Sequence, residues 1–207
     1  TRRNEYAKPQ LELVVAAPTL GELREYLTLN SERIKEILVE AQIEKRVEQL
    51  RKKYSKKVDD DLKEVLGMSV RAPENMKATK KGERFLWGGT NLLEKDMNLV
   101  VYTYDWHGEE LVDTGRYVEI RDSVMKHNIP GSSEGQWMQT VRERENNHPL
   151  VECAEREING RKVMEARGLW EMRNGALGGP FVSISRVDTA AGRVIVGEGF
   201  VYSPSTD

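Results

Sequence analysis

Residues 163–202 hold the side chains best placed to do chemistry. A single carboxylate, Glu198, sits there inside an otherwise apolar run, RVIVGEGFVYS. On a strand, Glu198 shares a face with Val194, Val196, Phe200 and Tyr202, because side chains alternate. A carboxylate on such a face loses hydration, holds its proton more tightly and can serve as a general acid or base. A turn at residues 189–192 sets Val187 opposite Val194, Ser183 opposite Glu198 and Phe181 opposite Phe200. Pairing Met172 with Phe181 across NGALGGP brings Trp170 beside Ser183. The expected binding site is therefore the row Trp170, Ser183, Glu198, with Phe181, Phe200 and Tyr202 around it. In its catalytic version Glu198 is the acid or base beside Ser183, in a pocket walled by Trp170 and Phe200. The plainer version makes Glu198 a structural carboxylate bonded to Ser183 or to an arginine from elsewhere.

Other chemistry finds little support. HExxH, GxSxG, Walker A, GxGxxG and paired CxxC spacings are all absent. His107, His127 and His148 fall in a strand-end loop, a helix end and a pre-proline loop, with no i, i+4 pair to share a metal. The single cysteine, Cys153, excludes an intrachain disulfide and reads as a small buried thiol in a strand rather than a nucleophile. No metal and no cofactor is expected. The loop IPGSSEG has the composition of an anion cradle but follows a helix C-terminus, where the dipole repels anions, so it reads as a turn. Arg51, Lys52, Lys53, Lys56 and Lys57 precede Asp59, Asp60 and Asp61. The two runs nearly cancel and read as helix-end electrostatics, cations in one last turn and anions in the next first turn.

The elements that must position the row are legible from turn chemistry and periodicity. Asn159-Gly160 is a two-residue hairpin signal that pairs Cys153 with Ala166 and Glu152 with Arg167. Residues 68–73, 84–89 and 98–106 read as further strands. Phe85 and Trp87 share one face of theirs, and Tyr102, Tyr104 and Trp106 one face of theirs, an aromatic pattern of cross-strand core packing. Residues 116–127 read as a helix with Tyr117, Ile120 and Val124 inward. Earlier, residues 10–17 read as a strand, Thr19 and Glu22 as a capping box, and residues from Ser31 to about 54 as a long helix ahead of a helix C′ glycine at Gly67. At about 100° per residue the long helix carries two apolar stripes on nearly opposite sides. Ile34, Ile37, Leu38 and Ala41 form one, and Val39, Ile43, Val47, Leu50 and Tyr54 the other, so its second half is expected to pack on a different partner.

At 207 residues the chain supports one generous domain. A formal net charge of -2 argues against a general nucleic-acid or membrane-surface binder, since both need a basic excess. No apolar run approaches the roughly 20 residues that span a bilayer.

Several long strings carry a resemblance. NLVVYTYDW, RDSVMKHNIPGSSEG, ARGLWEM, GGPFVSISRVD and VIVGEGFVYSP, with PQLELVVAAPTLGELREYL and LRKKYSKKV, resemble domain-of-unknown-function family 4837, uncharacterised lipoproteins of Bacteroidetes. The resemblance spans most of the chain and brings no catalytic or ligand residues with it. It implies a cell-envelope location, as a periplasmic or outer-membrane lipoprotein whose signal peptide and lipidated cysteine lie outside this chain. It also implies a preceding N-terminal segment, a partner for the second stripe of the long helix, and a further C-terminal helix.

The combined expectation is a single α+β domain over residues 1–207, a largely antiparallel β-sheet with helices concentrated on one face. Its expected role is non-catalytic or structural. The partner would be an unidentified protein or small molecule rather than nucleic acid, and membrane contact would come only through the lipid anchor. The alternative is the Glu198 enzyme.

Overall fold

The computed structural model describes residues 1–92 and 96–202; the Ser-Pro-Ser-Thr-Asp end, beyond which the further helix is expected, lies outside them. The chain divides into two compact units, Thr1–Tyr54 and Ser55–Asp207.

The first unit holds a small hairpin, β1 (Arg2–Arg3) with β2 (Leu11–Glu12), then α1 (Leu20–Leu29) and α2 (Ser31–Lys52). The strand expected over residues 10–17 shrinks to two residues. Thr19 caps α1 as expected, its hydroxyl accepting from the Glu22 amide at 3.2 Å. Helix α2 runs unbroken, with Ile34, Ile37 and Ala41 half-buried and Val39, Ile43 and Val47 exposed. Of its second stripe Leu50 and Tyr54 are half-buried, while Val39, Ile43 and Val47 stay exposed.

The second unit opens on α3 (Lys56–Leu66). Ser55 is its N-cap, accepting from the Val58 amide at 3.3 Å and donating to the Met76 carbonyl at 2.6 Å. Gly67 ends it at φ 66°, a left-handed conformation that glycine adopts at no steric cost. Arg51 and Lys52 fall in the last turn of α2 and Asp59 in the first turn of α3 as expected, whereas Lys56 and Lys57 open α3 at its positive dipole end, against the expected placement. The segment 68–73, expected as a strand, forms none, although Met68, Val70 and Ala72 pack toward α3. Then come β3 (Ala78–Gly82), β4 (Phe85–Gly89), β5 (Asp96–Asp105), α4 (Thr114–Asn128), β6 (Met138–Thr140), β7 (Val151–Ile158), β8 (Arg161–Met172), β9 (Gly178–Asp188) and β10 (Arg193–Tyr202).

These strands form one eight-stranded antiparallel sheet in the order β3-β4-β5-β10-β9-β8-β6, with β7 also paired to β8. Its α+β class and antiparallel pairing are those expected. The helices, however, divide between the two faces instead of sharing one. The reason is alternation in β4 and β5. Phe85, Val100 and Tyr102 point into the cluster that Tyr117, Val118 and Met125 of α4 complete. Leu86 and Val101 point the other way and are sealed by Val58, Leu62 and Leu66 of α3. An apolar set on each face needs a cover on each, and every fully buried aliphatic side chain contributes about 1.5–3 kcal/mol. Helix α3 covers β3, β4 and β5, while the same face of β10, β9 and β8 carries, apart from the buried Val163, half-buried and exposed side chains.

Candidate functional site

The turns set most of the expected register. Cys153 faces Ala166 and Glu152 faces Arg167 through the Asn159-Gly160 hairpin. Val187 faces Val194, Ser183 faces Glu198 and Phe181 faces Phe200. One expectation fails: Trp170 pairs with Gly179, and Ser183 with Ala166, so Trp170 does not join the row. Gly178, Gly179 and Pro180 are strand residues of β9, and the connection is shorter than NGALGGP implies. Gly179 allows this, since a Cβ there would lie 2.1 Å from the Val201 carbonyl oxygen. Trp170 sits at the far end of the face, edge-on to Phe200 with ring centroids 5.4 Å apart, its indole N–H donating to the Val201 carbonyl. Tyr202 packs half-buried against the same cluster.

Glu198 is fully buried, and so is its partner, Arg121 of α4. The Arg121 Nε donates to Glu198 Oε2 at 2.9 Å and its Nη2 to Oε1 at 2.8 Å, a bidentate pair. The Tyr117 hydroxyl lies 3.4 Å from Oε2. The Arg121 Nη1 donates to the Thr140 hydroxyl at 3.0 Å, and the guanidinium stacks 4.0 Å above the Phe181 ring. Asp122 closes the network by accepting from the Thr140 amide and hydroxyl at 2.8 and 2.6 Å. Thus Ser183 and Glu198 do sit side by side, but the carboxylate's bonds go to Arg121, while the Ser183 and Ser185 hydroxyls make no hydrogen bond.

The electrostatics follow from burial and the pair. Burial alone would lower the pKa of Arg121, but the Glu198 carboxylate more than reverses this and holds it above the ordinary value. Burial, with Glu198 beside it, pushes the Tyr117 hydroxyl well up; Tyr102 rises likewise through burial and the neighbouring Tyr117. Both tyrosine hydroxyls therefore hold their protons more tightly than usual. Cys153 is half-buried rather than buried, and burial raises its thiol. All three histidines are exposed.

Sequence reasoning missed Arg121. The expected inward stripe of α4 was Tyr117, Ile120 and Val124; the buried residues are Tyr117, Val118, Arg121, Met125 and Asn128. An arginine one turn from each of Tyr117 and Met125 was the available signal. It pointed to a cation in the core that needs the one carboxylate on the facing strand.

Sheet, helix and pair define a two-faced α+β domain with a buried arginine–glutamate strut joining α4 to β10. The chain belongs to the family described as Domain of unknown function (DUF4837), whose model matches residues 55–207, beginning where the second compact unit begins. Among curated proteins, none matches the sequence.

Proposed function

We propose that this chain is a non-catalytic binding module of the cell envelope, attached to the membrane through a lipid carried outside these residues. The carrying observation is the state of Glu198. An acid or base must exchange its proton with a substrate it can touch. This carboxylate instead has both oxygens on one guanidinium and no exposed surface. That geometry supports a strut and speaks against the Glu198 enzyme. Family kinship supports the envelope location and the Bacteroidetes lipoprotein character. The partner is then a protein or small molecule met by a surface other than the Ser183–Glu198 row.

Two measurements test this. Thermal shift against a metabolite and glycan panel, wild type beside Glu198→Gln, is expected to give ligand shifts of equal size in both proteins above a lowered baseline for the variant. A ligand shift or turnover that disappears with Glu198→Gln in a folded protein overturns the proposal. The full-length protein in its native cells is expected in the membrane fraction, and recovery from the cytosol refutes the location.

A further inference from the structure

The sheet face opposite the buried pair carries a groove of about 620 Å³ lined by residues of the second unit. Met68, Val70, Val163, Ile184 and Ile195 make it apolar, and Arg161 and Arg186 are its charged lining. Among the described residues neither arginine has an ion-pair partner. The nearby carboxylates are engaged elsewhere. Glu165 is held by Arg167 at 2.8 Å, Asp188 by Arg193 at 3.3 Å, and Asp59 by Lys63 and Ser69. Arg186 is half-buried, where a cation without an anion is poorly compensated.

The floor is shaped by glycine. Gly197 lies opposite Ile184 on one side and Val101 on the other, and Gly199 lies opposite Val182 and Leu99. A Cβ at Gly197 would meet nothing within 4 Å. The two glycines leave a trough one strand wide between the side chains of β9 and the α3-covered β5. Strands are about 4.8 Å apart, so β9 and β5 lie about 9.6 Å apart across β10, and the side chains lining them leave width for a polymethylene chain but not for a helix, whose diameter with side chains is about 10–12 Å.

From the charge and the width together we propose that this groove binds a single-chain amphiphile with a carboxylate head. The head is held by Arg186 and Arg161, and the chain runs along Ile195, Ile184 and the Gly197–Gly199 floor. This deepens the binding-module reading above and rests on it. An apolar lining with a few fixed polar groups, in this volume range, is the usual character of a small-molecule site.

The test is calorimetric titration of the whole chain with dodecanoate below its micelle-forming concentration. Saturable binding at one site is expected, weakened about tenfold or more by Arg186→Gln through loss of charge-assisted hydrogen bonds. Gly197→Val, which places its side chain in open space on an extended strand, is expected to keep the melting temperature and abolish binding. Dodecyltrimethylammonium, with an equal chain and opposite charge, is expected not to bind. Absence of saturable binding, unchanged binding by Gly197→Val, or equal binding of the cation overturns the inference. Monododecyl phosphate binding tenfold tighter than dodecanoate overturns the carboxylate head. None of these results touches the non-catalytic reading, which falls only if Glu198 proves to carry a reaction.

Discussion

Replacing Glu198 by glutamine keeps the shape of the side chain and removes its charge, leaving the Arg121 guanidinium buried with less than its due. Breaking a buried pair from one side costs about 3–5 kcal/mol. Arg121 would keep the Thr140 hydroxyl at 3.0 Å and a more distant carboxylate, Asp122, at 3.6 Å. That residual compensation places Glu198→Gln near the lower end, about 3 kcal/mol. Arg121→Met leaves Glu198 only the Tyr117 hydroxyl at 3.4 Å, and belongs near the upper end, about 5 kcal/mol. In a chain of this size each kcal/mol shifts the melting temperature by about 2–4 °C, so Glu198→Gln should lower it by about 6–12 °C. The double variant Arg121→Met, Glu198→Leu removes both charges and should return to within about 1 kcal/mol of wild type or exceed it. Guanidinium-chloride unfolding of all four proteins puts these costs on one scale. Near-wild-type stability for Glu198→Gln, within about 0.5 kcal/mol, would falsify the strut.

Three further outcomes follow from other parts of the second unit. Hydrogen bonds from Lys63 and Ser69 lower the pKa of Asp59. For Asp61 burial pushes upward, but bonds from Lys57, Thr79 and Lys81 outweigh it and the net shift is down. Both folded values lie below the unfolded one near 3.9, so their stabilisation is present above about pH 4 and is lost as pH falls. Asp59→Asn with Asp61→Asn should flatten the acid limb of a stability–pH curve, and an unchanged limb refutes the assignment. Gly67→Ala, in open space at φ 66°, should cost about 1–2 kcal/mol from backbone strain alone, read by thermal unfolding. Gly179→Ala meets the Val201 carbonyl at 2.1 Å and should cost about 1–3 kcal/mol, with faster amide exchange where β9 meets β10; native exchange there refutes the close approach.

Where turn chemistry and strand alternation decide, the sequence was readable. Asn159-Gly160 and the 189–192 turn set two hairpin registers, and the apolar parity of β10 placed Glu198 on the α4 face. The failures have physical causes. Gly178 and Gly179 read as loop because glycine weakens strands, yet they permit the close approach to β10 that extends β9. Apolar residues in 68–73 read as a strand, but they pack under α3 without a ladder partner. Arg121 was not among the residues expected inward; its burial depends on Glu198, 77 residues away, which no local period encodes. The distribution of helices over both faces needed the two-sided apolar content of β4 and β5.

The strut has a consequence for how β10 finds its place. Its apolar parity favours one face, since Val194, Val196, Phe200 and Tyr202 alternate against Arg193, Gly197 and Gly199. A slip by one residue would give up the burial of Val194, Val196 and Phe200. It would also turn Glu198 to the opposite face and bring Gly197 or Gly199 beneath Arg121, exchanging the guanidinium's anion for a hydrogen atom. A misthreaded strand would leave a bare cation in the core, at a cost of several kcal/mol. The charge pair acts as a checksum on the hydrophobic pattern of β10.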